Sequence, residues 1–323
     1  MVGAGFCGLA LAYYLSQHSH IKITLFDQKD IGQGTSGIAA GLLHPFAGTH
    51  AKLNWRGYEA MAETLKLLDI AESSLGQKIY WQKGMLRLAT NPEQMNDYTL
   101  CCQQFPNIIW RTAEENQACI PYLTYCPGIF IDCAVTVDCP HYLKGLWLAC
   151  AKHKVRFEQR KLAALAELKH FDATFVAMGA FSHCLPETAH LPITQVKGQV
   201  FEFVWPKTLA PLPFPINSHA YITMHPKGET CIAGASFERD FNHLEPDVEA
   251  AKAEIMPKLR AIIPEIDSFQ LISCRAGVRA STPDHLPLVK RISEKTWALA
   301  GMGSRGLLYH ALLAKELSQA FVA

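Results

Sequence analysis

The 323-residue sequence lacks the features that announce several protein classes. No stretch of 18 or more apolar residues occurs, which is about the least a membrane-spanning helix needs. Neither charge is in excess: 30 basic residues stand against 29 acidic ones, so the chain as a whole has no strong pull toward nucleic acid or an anionic membrane. The eleven cysteines contain no C-x-x-C and are odd in number, unlike a short secreted scaffold; they read as reduced thiols of a cytoplasmic protein. The 14 histidines show no H-E-x-x-H or similar ligand spacing, so no metal is expected. Residues 2–15 are apolar but have no basic segment before them, which excludes a secretion signal. What remains is an ordinary globular composition, 49% hydrophobic with mean hydropathy +0.05, long enough for two lobes.

The chain opens on its most informative segment. Val2-Gly3-Ala4-Gly5-Phe6-Cys7-Gly8 carries G-x-G-x-x-G, an apolar helical run follows over 6–18, a β-like run spans 21–27, and Asp27 stands 19 residues beyond Gly8. Gly3 permits a tight strand-to-helix turn, Gly5 lets backbone approach a pyrophosphate, and Gly8 lets helix and strand pack closely; the helix then faces the phosphates with free N–H groups. Asp27 can accept hydrogen bonds from an adenosine ribose. NAD and FAD both carry that ribose, so the fingerprint leaves the two cofactors open. Only Met1 and Val2 precede the turn, where a buried strand of about five or six residues is usual. The expectation is a truncated first strand, from a fragment or a misplaced start.

Downstream, helical spacing over 55–75 predicts a long helix, and short β-like pieces such as 85–89 follow across 78–132. An α/β pattern returns with a helix over 142–152, a strand over 155–158 and a buried strand over 173–180 that runs into Gly179-Ala180. The latter pair is open to two readings: a backbone approach to cofactor, or the turn that starts a helix. The pattern then becomes antiparallel: a strand over 200–204, a hairpin of 221–224 with 230–233 around Pro226-Lys227-Gly228-Glu229, and a helix over 247–261. Two strands from 275 and a terminal helix over 306–320 close the chain. The fold class expected is α/β: a Rossmann-like domain with a parallel sheet, interrupted by an antiparallel α+β substrate domain. Residues 1–77, 133–192 and 272–323 are assigned to the first, 78–132 and 193–271 to the second.

Two further segments carry a resemblance. Thr35-Ser36-Gly37-Ile38-Ala39-Ala40-Gly41-Leu42-Leu43-His44-Pro45 resembles the flavin-facing loop of the FAD-dependent D-amino-acid oxidase and glycine oxidase family. Ala276-Gly277-Val278-Arg279-Ala280-Ser281-Thr282-Pro283-Asp284-His285-Leu286-Pro287, with Gly301-Met302-Gly303-Ser304-Arg305-Gly306-Leu307, is similar to that family's closing motif. The D-H-L-P and G-S-R-G-L wording is closest to oxidase modules that act in tRNA modification. The resemblance implies FAD as cofactor, bound by Gly3, Gly5, Gly8, Asp27, Ser36, Gly41, Leu162, Gly179, Gly303, Gly306 and Leu307. It places Arg279 at a substrate carboxylate and Arg305 beside flavin and substrate, and sets His44 near the ring as a candidate proton acceptor that is more simply a structural histidine. Asp284 and His285 are expected to fix a turn.

The chemistry so implied is hydride transfer from the carbon next to a neutral amine onto flavin, hydrolysis of the imine, and reoxidation by oxygen. An arginine suits the carboxylate because its planar fork grips both oxygens through parallel bonds. The partner is then a small amine or amino acid; carboxymethylaminomethyl-uridine in tRNA is the alternative. Two departures from the family, Asp27 where glutamate is commoner and Lys290 where glycine is usual, favour a non-catalytic flavin- or dinucleotide-binding homologue as a further alternative. An NAD-dependent dehydrogenase is the last.

Overall fold

The structure, a computed structural model, describes residues 1–323. A parallel sheet forms around the first residues. Thr24–Asp27 pairs in parallel with Arg156–Gln159, and Thr174–Val176 pairs in parallel with Thr296–Ala300, whose other edge takes Leu288–Ser293 antiparallel. Val2 joins these halves by bridging Phe26 on one side and Val176 on the other. These first residues therefore serve both neighbours: Phe26 N–H donates to Met1 O and Val2 N–H to Phe175 O, each at 2.8 Å, while Gly3 and Ala177 N–H donate at 2.7 Å to Phe26 O and Val2 O. These bonds satisfy backbone groups that a missing central strand would have left open. Burial pulls the Met1 amino group down to about 5.

Four helices, Phe6–Ser16, Gly57–Leu75, Cys139–Lys152 and Gly306–Val322, pack together on one face of this sheet. The first is apolar almost all round, as a helix between a sheet and other helices must be. The second stops where Gly76 takes a left-handed conformation, φ 73°, and its N–H returns to Glu72 O. The third starts on Asp138, whose carboxylate accepts the His141 N–H. Between the helices lies a buried polar pair: the Tyr142 hydroxyl is 2.6 Å from His310 Nε2, and His310 Nδ1 faces Gly306 O at 3.0 Å. Burial lowers His310 to about 4, so the ring is neutral, with Nδ1 donating and Nε2 accepting.

The second sheet has eight strands in the spatial order Leu271–Ser281, Thr194–Val204, Thr230–Gly234, Tyr221–Met224, Ile216–Asn217, Met85–Leu88, Gly128–Ile131 and Ile108–Arg111. The hairpin of 221–224 with Thr230–Gly234 forms as expected, with Gly228 at φ 74° in its turn. The strand expected over 200–204 begins at Thr194 and pairs along its length with Leu271–Ser281. That pairing corrects the boundary drawn at 272, which falls inside the second sheet. Cross-strand partners share a face, so the register sorts this sheet in two. Phe201, Phe203, Cys231, Ala233 and Ile222 point to one face, where helix Val248–Arg260 buries Ala251, Ile255 and Leu259 against them. Arg275, Gly277, Arg279, Gly198, Gly234, Tyr221 and Thr223 share the other.

Candidate active site

At the nucleotide end each fingerprint glycine has a steric reason. Gly3 sits at φ 106°, and a Cβ there would lie 2.4 Å from Ala177 O; one on Gly8 would lie 1.8 Å from Gly3 O. One on Gly5 would meet Ser36 Oγ at 2.8 Å, and that hydroxyl accepts the Phe6 N–H at 3.1 Å. Asp27 braces the turn: Oδ2 accepts the Ala4 N–H at 2.8 Å and Oδ1 the Lys29 N–H at 3.0 Å. Each oxygen keeps a lone pair that a ribose hydroxyl can use.

Farther along, two glycines face open space. Gly179 has φ 56° and no atom within 4 Å of an added Cβ; Gly303 has φ 57° and only Ser281 Oγ at 4.0 Å. Bare backbone facing a gap is the cradle a planar ring needs. Gly179 also opens a 3-10 turn over Gly179–Cys184, the helix-start reading of that pair. The helix Gly306–Val322 begins beside Gly303 and turns its N-terminal dipole toward negative charge. These residues fit FAD.

Other expected residues are placed differently. Gly41, φ 77°, lets its backbone pass Val137 O, which would stand 1.8 Å from a Cβ. The Leu162 side chain is core, packed with Val2, Phe26 and Val176, and Leu307 is buried in the helix layer. Arg305 donates to Asn54 Oδ1 at 3.2 Å and to His285 O, and stacks over Tyr309, which ties the start of the last helix to two loops. His44 has a buried Nδ1 without a partner, and burial with the nearby Arg87 charge lowers it to about 3. A ring held so far below neutral is a poor proton acceptor. Asp284 and His285 form the expected turn, with His285 at φ 57° and Asp284 Oδ1 accepting the Leu286 N–H. Lys290 is exposed on the outer strand of the parallel sheet. One side-chain group went unforeseen: His50, Glu93 and Asp97 bring ligand-type atoms within 4.8 Å of one another, with His50 Nδ1 2.5 Å from Asp97 Oδ2.

Arg279 lies on the glycine-floored face of the large sheet. A Cβ on Gly198 would come within 2.2 Å of Arg279 Nη2, so the guanidinium rests on bare backbone. Its one hydrogen bond runs from Nη1 to Ser236 O, 3.3 Å, and no carboxylate lies within salt-bridge distance. Burial lowers its pKa from the usual value, and the Tyr221 phenol belongs to the same charge environment. Tyr221 was read from sequence only as a strand residue. Its hydroxyl lies 3.4 Å from where a Gly234 Cβ would be, and burial pushes it up to about 12 against the opposing charges of Arg279 and Arg275. Alternation was the available signal: Arg275-x-Gly277-x-Arg279 puts two cations and a gap on one face of one strand.

A glycine turn braced by an acid, an open backbone cradle and an uncompensated arginine on an opposing sheet define a dinucleotide-binding redox fold. The family model described as FAD dependent oxidoreductase (DAO) matches residues 1–320; the chain belongs to that family, and its cofactor is FAD. Among curated relatives, the tRNA 5-methylaminomethyl-2-thiouridine biosynthesis bifunctional protein MnmC of Vibrio vulnificus is 26% identical over 98% of this chain and 55% of its own length. The protein of that name from Polaromonas sp. is 31% identical over the same shares. The chain thus spans about half the length of these relatives. Among solved structures, glycine oxidase from Geobacillus kaustophilus superposes with a TM-score of 0.85 at 20% identity, covering 99% of this chain and 92% of that one. Iminodiacetate oxidase from Chelativorans sp. gives 0.81 at 17%, covering 99% and 94%. These two share the fold. No helix is long and apolar enough to cross a membrane.

Proposed function

We propose that the chain oxidises the C–N bond of an amino acid or N-substituted glycine, with Arg279 receiving the substrate carboxylate. The observation that carries this reading is the largely enclosed Arg279 guanidinium, which no carboxylate touches although Glu254 and Glu238 act on it from a distance. Enclosing an unpaired cation costs roughly several kcal/mol, and a carboxylate accepting two of its N–H groups offsets that cost. Tyr221, protonated at neutral pH, can donate its hydroxyl to the same carboxylate. Gly198 and Gly234 keep the floor flat, so the carbon next to the amine is held by its carboxylate rather than by packing around a side chain. FAD, when bound, supplies the two-electron acceptor. His44 stays neutral, so the substrate amine loses its proton to solvent rather than to that ring.

Anaerobic addition of glycine, sarcosine or D-alanine to the FAD-loaded protein is expected to bleach the flavin bands with at least one amine, and Arg279→Ala is expected to abolish the bleaching. Equal bleaching in that variant would sink the assignment. A second reading takes carboxymethylaminomethyl-uridine in tRNA as substrate, favoured by the names of the relatives and opposed by the balanced charge of this chain. Nucleoside analysis of tRNA incubated with flavin-loaded protein tests it; no gain of the aminomethyl product counts against it.

A further inference from the structure

The large sheet carries a second cation on its site face, and nothing in the proposed reaction uses it. Arg275 precedes Arg279 by four residues, about 13 Å along an extended strand. It lines a partly open cleft with a free volume of about 50 Å³, whose other walls include residues 37, 39 and 40 of the flavin-facing loop, Trp81, Thr136 and Thr223. Three polar atoms on these walls are buried without any hydrogen-bond partner: Arg275 Nε, Thr136 Oγ1 and Thr223 Oγ1. Orphaned donors are rare in folded proteins, and three on the walls of one cleft call for a common partner. The guanidinium can only donate and both hydroxyls can donate, so the complement is rich in acceptors. The acid on the wall, Asp138, is already engaged: its oxygens take the His141 N–H at 3.2 Å and face His141 Nδ1 at 2.8 Å. Arg275 itself pairs with no carboxylate. Tyr221 feels the charge of both arginines and stands in the cross-strand row of Arg275.

We propose that this cleft selects amines with a second anionic group, a carboxylate or a phosphoryl oxygen group, at the end of the N-substituent, held by Arg275 with Thr136 and Thr223 while Arg279 holds the glycine carboxylate. The proposal rests on the amine-oxidase reading above and adds a specificity-determining residue to it. Small amines such as glycine are then poor ligands because they leave this wall unpaired.

The test titrates anaerobic FAD-loaded protein with N-alkylglycines, with N-(carboxyalkyl)glycines of one to three methylenes, and with N-(phosphonomethyl)glycine. Dissociation constants come from the concentration dependence of the flavin spectral change. At one chain length at least, the doubly anionic amine is expected to bind roughly tenfold or more tightly than its uncharged counterpart, the worth of one added charge-assisted bond. Arg275→Ala should remove that preference and leave the N-alkylglycines within about twofold, with Arg275→Lys intermediate. Preference for the carboxylate over the phosphonate, or the reverse, identifies the group. Equal affinity for charged and uncharged amines in the parent protein, or a loss in Arg275→Ala shared equally by both, overturns the proposal while the oxidase reading stands. Failure of every amine to perturb the flavin overturns both. Retained FAD stoichiometry and an unchanged circular dichroism spectrum in each variant separate these outcomes from misfolding.

Discussion

The two faces of the eight-stranded sheet are made by the same strands in the same register, yet one is built to exclude water and the other to be completed by something else. On the core face Phe201, Cys231, Ala233 and Ile222 are fully buried against the helix Val248–Arg260. On the opposite face the same residue-by-residue alternation yields Arg279, Gly198, Gly234 and Tyr221, with the Arg279 guanidinium resting on bare backbone. The contrast shows how a strand can carry stability and chemistry at once: alternate residues of each strand supply the one and the other.

Substitutions should therefore separate by face. The largest effect expected is Phe201→Ala, a cavity in the core face costing roughly 3–5 kcal/mol and lowering the melting temperature sharply. A melting curve that hardly moves would mean the two faces are not divided as described. Acid should strike the packed interior next. His310 sits at about 4 when folded and near 6.5 when unfolded, so its contribution is complete above pH 6.5 and is lost as pH falls toward 4, by roughly 3 kcal/mol. Denaturant titrations at pH 7 and pH 5 would show it, and His310→Gln should reduce the slope to the part that the buried His44 contributes. Arg279→Lys keeps the charge and loses the fork, so kcat/KM should fall roughly 100-fold with an unchanged melting temperature. A matching loss of stability would make Arg279 structural instead. The smallest effect expected is Gly198→Ala. Its methyl would displace the tip of a flexible side chain rather than backbone, raising KM about tenfold at nearly constant stability. Unaltered kinetics would show that the guanidinium need not rest there.

How far the sequence could be read follows the same division between local and assembled structure. The glycine turn, its helix and Asp27 lie within 27 residues, and their roles depend on neighbours a few positions away, so the pattern discloses them. The cation face does not disclose itself in that way. Tyr221 in Ala220-Tyr221-Ile222-Thr223 looks like any aromatic strand residue, and only the pairing of Tyr221 with Gly234, of Gly234 with Val200 and of Val200 with Arg275 puts it on the face that carries Arg275 and Arg279. Such register is set by partners far along the chain. Arg305 went the other way: its motif was legible, but two of its five N–H donors go to Asn54 and His285 O, which no local spacing reveals. Gly41 and Leu162 illustrate a third case, since the packing that involves each, backbone passing Val137 and a side chain filling a core, shows only in the assembled fold.

The short 3-10 turn Thr35–Ile38 touches both halves of the site. Ser36 accepts the Phe6 N–H at the nucleotide turn, while Thr35 Oγ1 donates to Val278 O, at 2.8 Å, on the strand that carries Arg275 and Arg279. Two adjacent hydroxyls thus fasten the phosphate end to the carboxylate end like a buckle. A ligand that fixes the turn from one side lowers the entropy left to lose on the other, and thermodynamic reciprocity makes the effect equal in both directions. Thr35→Val should then weaken the coupling without touching either pocket: FAD affinity measured with and without a bound amine would differ in the parent protein and converge in the variant.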